Sequence, residues 1–544
     1  MPSWSLLSIL ALSAVTEAAI GPTAQLTVSN AHLALDGFPR DTVVVNGQFP
    51  APLITGNKGD TFNLNVFDAL TDKELDTVTS IHWHGIFQNH YNHADGPAFI
   101  TQCPIIPQED FDYKFQVPEQ AGTFWYHSHY KNQYCDGLRG ALVVYDPDDP
   151  QKSLYDVDND DTVITLADWY HYLSTSDEAK VGPPMPNTTL INGKGRYLDG
   201  PDARLAVVNV EAGKRYRFRL VSISCDTNFV FSIDGHVFDV IEVDGTSHQP
   251  HRIDSVQIFA GQRYSLVMAA DQPVSNYWIR AQPNNINPTL PPFTGGRNSA
   301  ILRYAGAKVL DPNTTSSADM LLNEQDLRPL SNASAPGRPE PGGADINYTL
   351  NITFNNGLFA VNNFSFPPLI DAVPVLLQIL NGRPAADLMP AGSIYPLDGR
   401  NKSVELTILP LGLAGPHPVH LHGHAFSVIQ SAGRTEPNYD HPPIRDVVAI
   451  GMNSSEITVI RFVTNNPGPW FFHCHIDWHL NAGFAAVFVE DQPDVSAVDH
   501  PPADWEKLCP AYEPYAEQNN YVTGMASLIP TEVNSTTNGT DTST

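Results

Sequence analysis

Three scarcities set the first limits on this chain of 544 residues. Basic residues are few: 30 Lys and Arg stand against 59 Asp and Glu, a formal charge of −29, and no run of five Lys or Arg interrupts the acidic background. Such a surface repels polyanions, which excludes nucleic acid as a partner. Apolar runs are short, and no stretch reaches the roughly 18 apolar residues of a membrane span, so no membrane attachment is expected. Cysteines number only five, which allows two disulfides at most and leaves one thiol over. What the sequence does have is 42% hydrophobic residues, enough to exclude disorder for most of its length, and 20 histidines. Its 46 prolines and 37 glycines are spread along the chain, as in proteins of many short strands and turns.

The N-terminus carries an address. Residues 6 to 15, Leu-Leu-Ser-Ile-Leu-Ala-Leu-Ser-Ala-Val, have the length of a signal-peptide core, and Thr16-Glu17-Ala18 supplies small residues for cleavage after Ala18. No Lys or Arg precedes the core, a departure from the usual signal. The mature protein is expected to be soluble, extracellular and monomeric. Ten Asn-x-Ser/Thr sites, at Asn187, Asn313, Asn332, Asn347, Asn351, Asn363, Asn401, Asn453, Asn534 and Asn538, fit a secreted glycoprotein.

Alternation with period two recurs in Thr61-Phe62-Asn63-Leu64-Asn65-Val66, Arg215-Tyr216-Arg217-Phe218-Arg219-Leu220 and Glu405-Leu406-Thr407-Ile408, which predicts half-buried antiparallel strands. An internal repeat is more informative. Gly122-Thr123-Phe124-Trp125-Tyr126-His127-Ser128-His129 matches Gly468-Pro469-Trp470-Phe471-Phe472-His473-Cys474-His475, and a glycine-led apolar strand follows each, from Gly140 and from Gly483. Gly213 to Phe218 resembles Gly59 to Leu64 and hints at a third copy without a His-x-His. The expectation is an all-β chain: a signal at 1–18, β-sandwich domains at 19–149, 150–320 and 321–510, and a tail at 511–544 whose polar distal part is disordered. Pro329 to Gly343 reads as a surface connection.

Four short motifs gather eleven of the 20 histidines: His82-Trp83-His84, His127-Ser128-His129, the run from His417 through His420 and His422 to His424, and His473-Cys474-His475 with His479. On a strand, residues i and i+2 share a face, so each His-x-His presents two imidazoles side by side. One pair is commonly just a hydrogen-bonded feature. Four pairs, two in each matched domain, point to metal, because so many ring nitrogens would be costly to bury unpaired. If His473 and His475 face one way, Cys474 faces the other, so thiolate and imidazoles serve different centres joined by one peptide segment. One thiolate with two imidazoles, for which His417 and His479 are the natural partners of Cys474, is the blue-copper arrangement; structural zinc uses more cysteines.

These motifs, His-Trp-His-Gly, His-Ser-His, His-Pro-x-His-Leu-His-Gly-His and His-Cys-His-Ile-Asp-Trp-His-Leu-x-Ala-Gly, resemble the copper signatures of the multicopper oxidases, specifically of fungal laccases, from Ala19 to about Cys509. The resemblance implies three consecutive cupredoxin-like Greek-key sandwiches and four copper ions. It assigns His417, Cys474 and His479 to type 1 copper, with non-coordinating Phe484 at the axial position. It assigns His82 and His420 to type 2 copper, and to the type 3 pair His84, His127 and His475 on one ion and His129, His422 and His473 on the other. His424 receives no ligand role.

By the same resemblance, Asp226 after Cys225 anchors a phenol or aromatic amine beside His479, and Asp95 and Asp477 relay protons for reduction of O₂ to water. The cysteines pair as Cys103 with Cys509 and Cys135 with Cys225. Trp478 and Asn481 depart from the family pattern. The implied activity is one-electron oxidation of phenols coupled to four-electron reduction of O₂, in lignin degradation or phenol detoxification. Alternatives are a ferroxidase or ascorbate oxidase, or a non-enzymatic copper-binding glycoprotein.

Overall fold

In the computed structural model, which describes residues 19–180, 184–284, 295–316, 318–366, 373–412 and 415–521, the alternating segments form strands. Thr61–Asp68 alternates half-buried and buried positions without exception, and its neighbour Asp110–Gln116 alternates exposed and buried. The expected signal segment and Asn534 and Asn538 lie outside the described residues.

The strands make six sheets in three pairs. One four-stranded sheet runs Arg40–Val45, Thr23–Leu33, Thr61–Asp68, Asp110–Gln116, and its companion runs Ala51–Asn57, Arg139–Tyr145, Gly122–Ser128, Ile81–His84. Two further pairs, each of six and five strands, lie between Val163 and Tyr304 and between Ile346 and Glu490. Each pair encloses its own apolar core, around Leu26, Phe62 and Leu142, around Phe218, Phe231 and Leu302, and around Leu406, Val428 and Trp470. The architecture is all-β, three cupredoxin-like sandwiches in succession.

A parallel pairing repeated in every unit marks the common plan. Thr23–Leu33 lies parallel to Thr61–Asp68, Val163–Trp169 to Arg215–Ser222, and Ile346–Asn355 to Ser403–Leu409. The sequence repeat maps onto equivalent strands: Gly122–Ser128 pairs with Arg139–Tyr145 and Ile81–His84, as Gly468–Cys474 pairs with Ala485–Glu490 and His417–Leu421. All the histidine motifs sit on these strands or just past their ends, with Ile81–His84 at the edge of its sheet, and the first and third units meet there.

The arginine strand differs from its expectation in two ways. It has a parallel as well as an antiparallel neighbour, and two of its arginines are buried rather than solvated: Arg217 is 7% and Arg219 2% exposed. Their face packs on the first unit. Arg217 binds Glu242, Arg219 forks onto Asp158 with both bonds at 2.8 Å, and Glu242 accepts the Thr123 amide at 2.7 Å. Period-two alternation records two unlike faces; here the polar one meets another domain.

The helix Ala503–Asn519 crosses the boundary expected at residue 510 and packs on the first unit through Trp505, Leu508 and Tyr512. A disulfide joins Cys103 to Cys509 and a second joins Cys135 to Cys225, bridging sequence separations of 406 and 90. Cys474 is the free cysteine, and it is buried. The Pro329 to Gly343 connection is largely exposed yet anchored, because Arg461 donates to the carbonyls of Pro336, Arg338 and Glu340.

Candidate metal centres

The junction of the first and third units collects eight imidazoles. His82 and His84 come from strand Ile81–His84, His127 and His129 from the end of Gly122–Ser128, His420 and His422 from His417–Leu421 and the turn after it, and His473 and His475 from the end of Gly468–Cys474. Potential ligand atoms fall within 4.8 Å of one another in sets that include His82, His84 and His420; His84, His127 and His475; His129, His422 and His473; and, with a carboxylate, His82, Asp95 and His422. A separate set joins His417, Cys474 and His479. Cys474 Sγ stands 3.8 Å from His417 Nδ1 and 3.7 Å from His479 Nδ1.

Hydrogen bonds fix which ring nitrogen faces inward. The Nδ1–H groups of His82, His127, His420 and His473 donate to the carbonyls of Asp95, Ser128, Asp446 and Cys474, at 2.8 to 2.9 Å, so each of these rings turns Nε2 to the cluster. His422 donates Nδ1–H to Asp95 Oδ2 at 2.8 Å with the same result. His84 is reversed: its Nε2–H donates to Asp446 Oδ1 at 3.2 Å and Nδ1 faces inward.

This pattern tests whether a metal belongs there. The inward nitrogens of His422 and His473 are both lone pairs, yet they lie 3.0 Å apart. The Nδ1 of His84 lies 3.1 Å from His475 Nε2. Lone pairs placed like those of His422 and His473 repel unless a cation is shared between them. Four further inward atoms, the Nε2 of His82, His127, His129 and His420, are buried without a hydrogen-bond partner, a state proteins avoid. Burial holds His84, His127, His129, His420, His422, His475 and His479 well below the ordinary imidazole range and His473 at about 3, so these rings are neutral and able to ligate. Burial pushes the Cys474 thiol up, so a thiolate there needs a cation beside it. The donors fit a soft metal at Cys474 and imidazole-bound ions in the cluster.

Phe484 is buried against the Cys474 set, stacked on Phe359 at 5.4 Å and 5.6 Å from the His417 ring. Phe359, unmarked in the sequence, lies 4.5 Å from the His479 ring and 5.6 Å from that of His417, an apolar cover over the set. His424 points away from the cluster and meets Glu490 at 2.9 Å.

Around the cluster, Asp95 bonds His82 through its carbonyl and His422 through its carboxylate, and burial raises its pKa. Asp477 is buried, accepts from Asn132 at 3.2 Å, and has its pKa pushed well up by desolvation. Asp226 is half-buried; burial and the neighbouring Asp168 carboxylate push it up to about 7. Its loop is clamped, because Asp168 accepts the amides of Cys225, Asp226 and Thr227 and the Tyr170 hydroxyl, while Trp478 Nε1 donates to Tyr170 at 3.3 Å. Trp478 thus links the His479 helix to the Asp226 loop.

Sequence reasoning missed Asp446 and Arg263. Asp446 holds His84 by its carboxylate and His420 by its carbonyl, and Arg263 forks onto that carboxylate at 2.6 and 2.7 Å. The middle unit, without a histidine motif, therefore braces the cluster. It also approaches closely through Gly261, where a Cβ would lie 2.9 Å from His475 and the φ of +83° disfavours any side chain.

Comparison with known proteins agrees with this geometry. Multicopper oxidase family models match residues 27–149, 160–307 and 370–494. A laccase of Pycnoporus cinnabarinus is 57% identical, covering 94% of this chain and 98% of its own, and a laccase of Trametes versicolor is 56% identical over the same shares. The solved laccase of Botrytis aclada is 29% identical with a TM-score of 0.77, covering 92% of this chain and 94% of its own; Fet3p, a multicopper oxidase that functions in iron import, is 28% identical with a TM-score of 0.77, covering 90% and 94%. The chain belongs to the multicopper oxidase family, in its laccase branch.

Proposed function

We propose that this laccase is a secreted monomer that takes single electrons from phenols or aromatic amines beside His479 and uses four of them to reduce O₂ to water. The observation that carries the reading is Cys474, buried between His417 and His479 while His473 and His475 on either side of it face the imidazole cluster. We assign type 1 copper to His417, Cys474 and His479, type 2 to His82 and His420, and the type 3 ions to His84, His127 and His475 and to His129, His422 and His473. Copper, when bound, supplies one-electron redox chemistry and the binding of O₂.

The chain supplies the rest. The peptide segment from His473 to His475 is a covalent path between the two centres. Phe484, beside the His417 ring, has no donor atom to offer a copper held by His417, Cys474 and His479, and Phe359 would keep water off it, both of which would favour a strong oxidant. Asp95 and Asp477, buried with raised pKa values, hold protons at the cluster margin where O₂ reduction consumes them. Asp95 also orients two ligand rings. Secretion is supported by two disulfides and by eight sequon asparagines, Asn187, Asn313, Asn332, Asn347, Asn351, Asn363, Asn401 and Asn453, all exposed. Among the described residues no helix is long and apolar enough to cross a membrane. Lignin breakdown or phenol detoxification is the setting this chemistry suits.

The purified protein is expected to hold four copper ions, to be intensely blue, and to consume one O₂ per four phenol molecules oxidised. Colourless copper-loaded protein, or faster turnover of ferrous iron or ascorbate than of a methoxyphenol, would overturn the assignment. At Asp226, oxidising a phenol requires removing its proton, and the carboxylate accepts it. That form is complete above about pH 7 and lost as pH falls through that value. The rate with a phenol relative to a donor without an ionisable proton should therefore decline toward acid pH. Asp226→Asn is expected to lower kcat/KM for phenols about tenfold, a modest general-base contribution, and to remove that dependence. Equal losses with both donors would release Asp226 from the role.

A further inference from the structure

A cleft of about 340 Å³ lies between the first and third units, just past the turn that follows His422. The first unit gives it Phe87 and Asn89, the third gives His424, Arg461 and Asn465, and the connection between the second and third units gives Ser334 and Pro336. Its volume is within the range of small-ligand sites. The two ionisable side chains in its wall are already spent: Arg461 forks onto Glu405 at 2.7 and 2.8 Å, and His424 meets Glu490 at 2.9 Å. No carboxylate lines it, on a chain of net charge −29. What the cleft offers instead is the half-buried Phe87 ring and the exposed side chains of Asn89, Ser334 and Asn465, which have no hydrogen-bond partner among the described residues. An aromatic face ringed by neutral amides and a hydroxyl suits a sugar, which lays its C–H face on the ring and turns its hydroxyls to the amides.

The sequence sets a sugar attachment point at the rim. Asn332-Ala333-Ser334 is a glycosylation sequon, and its Ser334 is part of the cleft wall. Asn332 is exposed, in a turn closed by its amide on the Pro329 carbonyl at 3.1 Å. Both flanks are tied down: the Leu330 amide donates to the Ser247 carbonyl and the Ala335 amide to that of Tyr439, each at 2.9 Å. Resting on the secretion reading above, we propose that Asn332 carries an N-glycan whose core folds into this cleft and straps the first unit to the third. Covalent attachment beside the cleft gives the glycan a high effective concentration there, and the anchored flanks lower the cost of ordering it. The strap spans Phe87, three residues past His84, and His424, two residues past His422, so it closes over the junction that holds the imidazole cluster.

The test uses protein secreted by a yeast host. Glycopeptide mass spectrometry should find Asn332 occupied. An endoglycosidase acting on the native protein should release the Asn332 glycan about tenfold more slowly than the glycans at the other occupied sequons, as for a group that must first leave a bound state, and the difference should vanish in denaturant. Phe87→Ser should remove the protection, as should the surface pair Asn89→Ala with Asn465→Ala, whereas Ser334→Thr, which keeps the sequon, should retain it. Asn332→Gln should lower the thermal midpoint of the glycosylated protein and leave that of the exhaustively deglycosylated protein unchanged. An empty Asn332 beside occupied sequons, or an Asn332 glycan released as fast as the others, overturns the proposal. A protein retained in the cell, or secreted with no sequon occupied, would instead overturn the reading of a secreted glycoprotein on which it rests.

Discussion

Cys474→Ser is expected to abolish the blue colour and to lower donor-driven oxygen consumption by at least about a thousandfold, equivalent to about 4 kcal/mol of barrier. The cause is local. Serine nearly matches cysteine in volume, and Cys474 sits in a strand whose neighbours are apolar core residues; the fold should tolerate the exchange. Yet a buried hydroxyl stays protonated where a thiolate would be held by a soft cation. The imidazole cluster lies on the other face of the strand and depends on His473 and His475, and the His473 ring is oriented by a bond to the Cys474 carbonyl that the exchange leaves in place. Copper content should therefore fall from four to three, with the cluster retained. A variant that stays blue, or that oxidises phenols at an unimpaired rate, would break the link between Cys474 and electron entry. Loss of all four ions would show that the two centres do not assemble independently.

The features legible in the sequence are those written in short range. A His-x-His needs three residues to declare that two imidazoles share a face, and the match between Gly122–His129 and Gly468–His475 declares two equivalent strands. Alternation located Thr61–Asp68 and Arg215–Ser222, but could not say whether a polar face meets water or another domain; Arg217 and Arg219 meet Glu242 and Asp158. Asp446 carried no signal, since its partners His84 and Arg263 lie 362 and 183 residues away. Phe359 resembled any apolar strand residue until the fold placed it over His479. The helix Ala503–Asn519 was missed because Pro510 and Pro514 argue against a helix interior, and packing on the first unit outweighed them. What was lost in reading was the support around the ligands, which is made almost wholly by contacts distant in sequence.

That support carries the second large effect. Asp446→Ala should both destabilise the fold and weaken metal binding in the cluster, and the two consequences have different sources. Arg263 is fully buried; without the carboxylate its charge keeps the more distant Asp244 at 3.8 Å, the field of Glu242 and carbonyl contacts with Thr123 and Gly261. Stranding one partner of a buried pair costs about 3 to 5 kcal/mol. Separately, His84 loses the acceptor that keeps its proton on Nε2 and its Nδ1 turned inward, so one ligand nitrogen is no longer fixed; losses of a ligand's orienting partner typically cost about 10- to 100-fold in metal affinity. A double-mutant cycle separates them. Arg263→Ala added to Asp446→Ala removes the stranded charge and should recover part of the stability, giving strongly non-additive denaturation midpoints. It should recover none of the metal affinity, because His84 still lacks its acceptor. If the double variant regains copper along with stability, Asp446 acts on the cluster only through folding; if the single Asp446→Ala variant keeps full copper at low free metal, the assigned orientation of His84 is wrong.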